Sequence, residues 1–236
     1  TPPQEFLRRT GQNLLPHPLK DLPLADPPPS DPYWKSLRGW ENHETVERFI
    51  RYVERIIVEF RDLVDYWITI GEPVATIIGG GYISGLWPPG FFLKGKKARI
   101  VLHNLIEAHV QAYNKITALD NIDADGDGLA NRVGFTHLMM EIVPAEQSKI
   151  FGIPVKDNTE AAKNFSYFAN DYFINAVING EEDLNYLNTL QRSNKNSKEF
   201  IVHEDWKNKA DFIGLDYYRR VYVYANKIVS LTSAKF

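Results

Sequence analysis

The period of the apolar residues changes between residues 42 and 71, and that change restricts the fold more than any other feature of the sequence. "NHETVERFIRYVERIIVEFRDLV" sets Val46, Phe49, Ile50, Val53, Ile56, Ile57, Phe60 and Val64 on one stripe. This is the i, i+3, i+4, i+7 spacing of an amphipathic helix, with Asn42 as its capping candidate. "DYWITI" follows at once, with the aromatic and β-branched content of a strand. The succession then recurs. A helix is expected over about Lys97 to Leu119, a strand in "RVGFTHLMM", and a helix from about Thr159 to Asn179, where Asn179-Gly180 is a stop signal. "ADFIGLDYY" reads as a strand and "RRVYVYANKIVSLTS" as β-like. Strands alternating with helices imply parallel pairing through crossover helices.

The expected fold class is therefore α/β, of the (β/α)8 barrel type, in one domain over residues 1–236. Residues 1–36 form an irregular proline-rich segment, with a short strand expected at Gln12 to Leu15. About four strands are legible where a closed barrel of this type has eight. A chain of 236 residues, 44% of them hydrophobic, is long enough to bury one sizeable core. The formal net charge of -3 and the lack of a basic stripe argue against a nucleic-acid partner. No apolar run reaches the roughly 18 residues of a membrane span. With no cysteine, disulfides and thiolate metal sites are excluded. The 5 Trp, 12 Tyr and 13 Phe fit either a large core or a cleft whose flat rings stack on sugars.

"ITIGEPVATIIGGGYISGLWPPG" carries the chemistry. Glu72 closes an apolar strand, is backed by Pro73, and precedes a long loop rich in glycine, tryptophan and proline. In parallel barrels the functional groups stand at the C-terminal ends of strands. Glu72 and the run Asp216-Tyr217-Tyr218 both have that place. A glutamate at a strand end is, on its own, usually a solvated loop residue or a helix cap.

"YWITIGEP" resembles the "WITFNEP" segment of family 1 glycoside hydrolases, the β-glucosidase and β-galactosidase type. "GYISGLWPPG" is similar to the loop that follows it, "RGWENHETVERFIRYVE" to the entry of the preceding helix, "LHNLIEAHVQAYNKI" to the next helix, and "ADFIGLDYY" to the family's "DFIGVNYY" strand. The matches keep family order from about residue 37 to 220 and cover the family's central portion. The resemblance implies retaining hydrolysis of β-linked glucosides or galactosides, with a carbohydrate substrate and no required cofactor. That chemistry needs two carboxyl groups about 5–5.5 Å apart, a proton donor and a nucleophile. The donor maps onto Glu72. It must hold its proton near neutral pH, which enclosure and a neighbouring anion favour. By the same resemblance Gly71, Trp87, Asp216 and Tyr218 line the substrate pocket, with Tyr218 orienting the nucleophile.

The sequence departs from the family at several points. Gly71 stands where the family has the asparagine that bonds the sugar 2-hydroxyl. Leu19 stands at the family's sugar-binding histidine, with His17 two residues away. The N-terminal strand with its sugar-binding glutamine has no counterpart, and no Thr-Glu-Asn-Gly segment occurs to supply the nucleophile. A second chain or a missing segment is therefore expected to complete the barrel. The alternative is a sugar-binding protein without turnover.

"DADGDGLANRVG" spaces Asp123, Asp125 and Asp127 at alternate positions before Gly128. Oxygen ligands so spaced suit a structural calcium ion, but Gly134 stands where a bidentate glutamate belongs. A plain acidic turn is the competing reading. His103 and His109, six residues apart on one helix, are poorly spaced to share a metal and are expected, with His137, to pack and hydrogen-bond.

Overall fold

The computed structural model describes residues 39–145, 149–150, 153–154, 158–183 and 200–224. The segment 1–36, expected to be irregular, with the strand expected at Gln12 to Leu15 and the positions of His17 and Leu19, lies outside them. So do most of the polar stretch 191–200 and the tail beyond Tyr224.

Helix α1 spans Glu44–Phe60. His43 holds the N-cap position without a side-chain bond, and Asn42, the expected cap, stands one residue earlier, its Oδ1 accepting the Glu44 N–H at 3.1 Å. Val46, Ile50 and Ile57 are buried along the stripe, while Phe60 and Val64 at its end stay exposed. Strand β1, Tyr66–Gly71, follows. Helix α2, Gly95–Leu119, buries a long face including Val101, Leu102, Leu105 and Ile106. Strand β2 is Arg132–Leu138. The helix expected over residues 159–179 forms in two parts. Helix α3, Thr159–Ser166, passes through a wide turn at Tyr167–Asp171 into helix α4, Tyr172–Asn179. Gly180 ends it at φ 73°, a left-handed position that suits glycine.

The loop expected after Glu72 is instead helical at first. Pro73–Ile83 forms a π-helix. Proline is tolerated in its first turn because no partner is needed there for the missing N–H. Val74, Ile78 and Tyr82 are buried at intervals of four residues against the core. The connecting loop runs only from Ser84 to Lys94.

The central sheet is parallel, in the order β1-β2-β8, where β8 is Phe212–Asp216. Beyond its C-terminal ends, β3, Glu141–Pro144, pairs in parallel with β9, Arg220–Val223, within the β-like tail. Two antiparallel pairs complete the strands: β4, Lys149–Ile150, with β5, Ile153–Pro154, and β6, Glu181–Asp183, with β7, Phe200–Val202. The described sheet is a three-stranded arc of a parallel β/α barrel. Its helix-covered face holds Ile70, Phe135 and the buried side chains of α2 and α4. Tyr66 and Ile68 of β1, and Ile213 and Leu215 of β8, are exposed apolar groups on the two edge strands. No helix among the described residues is long and apolar enough to cross a membrane.

Gly134 lies in register with Ile68 on one side and Phe212 on the other. A Cβ added there would overlap the Phe212 carbonyl oxygen and press on the Phe212 ring. Gly134→Ala is therefore expected to destabilise the chain by about 1–3 kcal/mol, the usual cost of forced overpacking. Urea unfolding measures it, and an unchanged midpoint would refute the argument.

Candidate active site

Glu72 follows directly on β1. Its backbone is left-handed, with φ 44° and ψ 57°, a conformation uncommon for a residue with a side chain. Two bonds hold it. Its N–H donates to the Thr136 carbonyl of β2 at 2.9 Å, and its own carbonyl accepts the Thr76 N–H at 3.0 Å. The Thr76 hydroxyl donates to Glu72 Oε2 at 2.5 Å. One carboxylate oxygen is thereby fixed by the first turn of the π-helix, and the side chain is half-buried.

Asp216 ends β8 at the same end of the sheet, in register with Leu138 of β2. Tyr218 lies two residues on, and its hydroxyl reaches Asp216 Oδ1 at 3.4 Å. The Asp216 charge raises the Tyr218 phenol above its ordinary pKa, with burial and then the Glu72 charge adding to the effect. Glu72, Asp216 and Tyr218 thus share one electrostatic neighbourhood at the C-terminal ends of β1 and β8. Tyr218 is 70% exposed, so this is an open rim and not a closed pocket.

Gly71 precedes Glu72 with its backbone outside the left-handed region. A Cβ there would meet only Thr136 Oγ1, at the ordinary distance of 3.5 Å. A side chain therefore fits at this position. Trp87 lies in the loop after the π-helix. Its backbone N–H donates to the Gly80 carbonyl at 3.1 Å, and its ring sits so close over Gly80 that a Cβ would overlap it. Trp87 as a whole remains 57% exposed. Trp87 is thus placed by the π-helix, while the Glu72–Asp216–Tyr218 group is placed by the sheet.

Sequence reasoning did not single out Thr76, Thr136 or the supports beneath them. Thr76 had a signal, since it stands four residues after Glu72, where side chains on a helical turn meet. The others depend on distant segments. His137 of β2 is buried and donates from Nε2 to the Ala169 carbonyl at 3.0 Å, within the wide turn. Burial lowers its pKa, against the opposing pull of the Ala169 and Asn170 backbone, Asp171 and Glu72. Asn170 clamps the β2–β3 junction by accepting the Met140 N–H at 3.0 Å and donating to the Met140 carbonyl at 2.9 Å.

The expected calcium ligands are divided. The acidic loop lies at the N-terminal ends of the strands, opposite Glu72. Asp123 and Asp125 cluster with the buried Asp65, their carboxylate oxygens within 4.8 Å of one another. Asp127 instead pairs with Arg132 at 3.1 Å, which lowers its pKa. The carboxylates already accept backbone amides of the loop. Asp65 takes Ala124 and Asp125, and Asp123 takes Gly126, Asp127 and Gly128. These bonds fit the plain acidic turn. His109 packs and hydrogen-bonds as expected, with Nδ1 at 2.6 Å from Thr69 Oγ1 and Nε2 at 2.6 Å from the Lys209 carbonyl.

The profile of glycosyl hydrolase family 1 matches residues 34–235. A 6-phospho-beta-galactosidase of Streptococcus pneumoniae is 28% identical over 230 residues, which are 92% of this chain and 44% of that protein. A beta-galactosidase of Saccharolobus solfataricus is 30% identical over 189 residues, 78% of this chain and 32% of that protein. The solved family 1 β-glucosidase of Thermotoga maritima superposes with a TM-score of 0.65 at 24% identity, over 87% of this chain and 42% of that one. The barrel fold is common to both, and this chain spans less than half the length of these relatives.

Proposed function

The chain belongs to glycosyl hydrolase family 1, and on that premise we propose that it carries the proton-donor side of a retaining β-glycosidase site acting on β-linked glucosides or galactosides. The observation that supports this most is Glu72, a half-buried carboxyl at the end of β1, held by Thr76 within electrostatic reach of Tyr218. In this reading Glu72 protonates the departing glycosidic oxygen as the bond breaks, then takes a proton from the water that releases the sugar. Asp216 and Tyr218 form the rim beside it, and Trp87 offers an exposed ring for a sugar face.

The nucleophile has to come from a polypeptide that also closes the arc, because the sequence holds no Thr-Glu-Asn-Gly segment. The apolar groups exposed on edge strands β1 and β8 support such a completion. Gly71 favours a second reading, a protein that binds sugar without turnover, since glycine offers no side chain to the 2-hydroxyl. Release of nitrophenol from a nitrophenyl β-glucoside by a polypeptide that holds both this chain and a nucleophilic carboxylate, measured alongside calorimetric binding of the same compound, separates the two. Binding with turnover supports the first reading, binding alone the second, and neither would refute both.

Gly71→Asn tests the pocket directly. The position has room for a side chain, and one added neutral hydrogen bond is worth about 0.5–1.5 kcal/mol. Affinity for glucose is expected to rise by roughly two- to tenfold in calorimetry. Equal affinity in both proteins would remove Gly71 from the sugar site.

A further inference from the structure

Where α2 meets β6 and the segment after β7, three histidines and two glutamates from distant parts of the chain come together. Glu182 of β6 is the centre, with its side chain 8% exposed. Its Oε1 accepts from His103 Nδ1 of α2 at 2.8 Å, and its Oε2 from His203 Nε2 at 3.0 Å. The His203 ring stacks on Trp206 with centroids 3.8 Å apart. The other nitrogen of His103 faces Glu107 Oε2, one turn along α2, at 3.8 Å. His43, ahead of α1, approaches the same Glu107 oxygen at 2.9 Å.

We propose that His103, set between the carboxylates of Glu182 and Glu107, is a proton-operated latch that fastens the β6–β7 hairpin to α2. A neutral imidazole carries one N–H and can serve only one carboxylate, leaving a lone pair facing the other. An imidazolium keeps the bond to Glu182 and meets Glu107, at 3.8 Å, as an ion pair. The proton thus decides whether Glu107 faces a cation or a lone pair, and whether the Glu182 bond carries charge on both partners.

The surrounding charges agree with this assignment. The hydrogen bond to Glu182 raises the His103 pKa, burial opposes it, and the charges of Glu182 and Glu107 outweigh the lowering effect of Arg99. For Glu182, burial alone would raise the carboxyl, yet the bonds and charges of His103 and His203 carry it below its ordinary value. Tyr172 of α4 also faces this charge, and its phenol is pushed far up, first by burial and then by Glu182 and Asp183. A histidine with a raised folded pKa stabilises the fold fully below its ordinary 6.5. That contribution is lost as pH rises through the folded value. The latch is therefore closed in mild acid and loosens toward alkaline pH.

The segment it holds leads into the sheet. His203 N–H donates to the Gly180 carbonyl at 2.8 Å, Asn208 N–H to Ile178 at 3.0 Å, and Lys209 N–H to Val177 at 2.8 Å. The chain then enters β8, which ends at Asp216. Amide hydrogen exchange of the whole chain, corrected for intrinsic chemistry, tests the latch. Between about pH 6 and about pH 8.5, protection of residues 200–209 is expected to fall severalfold, local opening being what exchange reports. His103→Asn keeps a donor toward Glu182 but cannot titrate, and Glu182→Gln removes the central charge. Both are expected to abolish the pH dependence. His103 is more than a third exposed, so its variant tests the idea even where Glu182→Gln fails to fold. A flat wild-type profile, or a His103→Asn profile that still falls, would overturn the proposal.

Discussion

Glu72→Gln is expected to lower turnover of a nitrophenyl β-glucoside by at least about tenfold, because a positioned general acid commonly contributes a hundred- to ten-thousand-fold. The substitution isolates the proton. Glutamine has the same shape, and its side-chain oxygen can still accept the Thr76 hydroxyl that now donates to Glu72 Oε2 at 2.5 Å. The backbone bonds to Thr136 and Thr76 do not involve the side chain. The loss should depend on the leaving group. A dinitrophenolate departs with little protonation, so its glucoside should suffer far less than an alkyl glucoside in the first step. A purely structural effect would penalise all leaving groups alike. Equal losses across the series, or no loss, would remove Glu72 from the acid role. The assay is read on any polypeptide in which this chain and a nucleophilic carboxylate are both present.

Glu72 was legible because a strand end followed by proline is a local pattern. Asp216 and Tyr218 were legible for the same reason, each standing at or just past the end of an apolar run. Helices α1 and α2 were legible from their stripes, and both begin within two residues of where the pattern places them. The π-helix over Pro73–Ile83 was not. Three consecutive glycines, Gly79 to Gly81, read as a loop, and only packing of Val74, Ile78 and Tyr82 into the core stabilises the helical path. Those glycines have a separate purpose in the fold, since Trp87 and Pro88 lie against Gly80 and Gly81 where a Cβ would intrude.

The wide turn at Tyr167–Asp171 was hidden for a related reason. Its sequence is an acceptable helix, and its departure is tied to His137 and Met140, about thirty residues away, which use the Ala169 carbonyl and the Asn170 amide. Spacing also misled at the acidic loop. Asp127 fits the alternate pattern but is drawn off by Arg132, and the residue that joins Asp123 and Asp125 is Asp65, just ahead of β1. In each case the local pattern named a residue type correctly, and a partner remote in sequence decided what it does.

Acidification below about pH 6.5 is expected to destabilise the chain by about 3 kcal/mol through His109 alone. This residue is fully buried between the rings of Phe135 and Phe173. Its Nε2 faces the Lys209 carbonyl, which can only accept, so the proton sits there and Nδ1 accepts from the Thr69 hydroxyl. The neutral ring thereby joins β1, α2 and the approach to β8. Burial lowers its pKa from 6.5 to about 4, the Lys209 bond opposing only in part. A tenfold change in an acid constant is worth about 1.4 kcal/mol, which sets the magnitude. The unfolded chain takes up the proton near 6.5 and the folded chain only near 4. Stability is thus fully present above the first value and lost progressively as pH falls toward the second. His137, lowered in the same direction by burial, adds to the loss. His103 has the opposite sign and weakens the fold on the alkaline side. His109→Gln retains a donor for Lys209 and removes the titration. Urea unfolding of the two proteins between about pH 7 and about pH 4.5 should show the wild-type midpoint falling more steeply than that of the variant. Parallel curves would mean that the imidazole takes up its proton within the folded core without penalty, contrary to its hydrogen bonds and its burial.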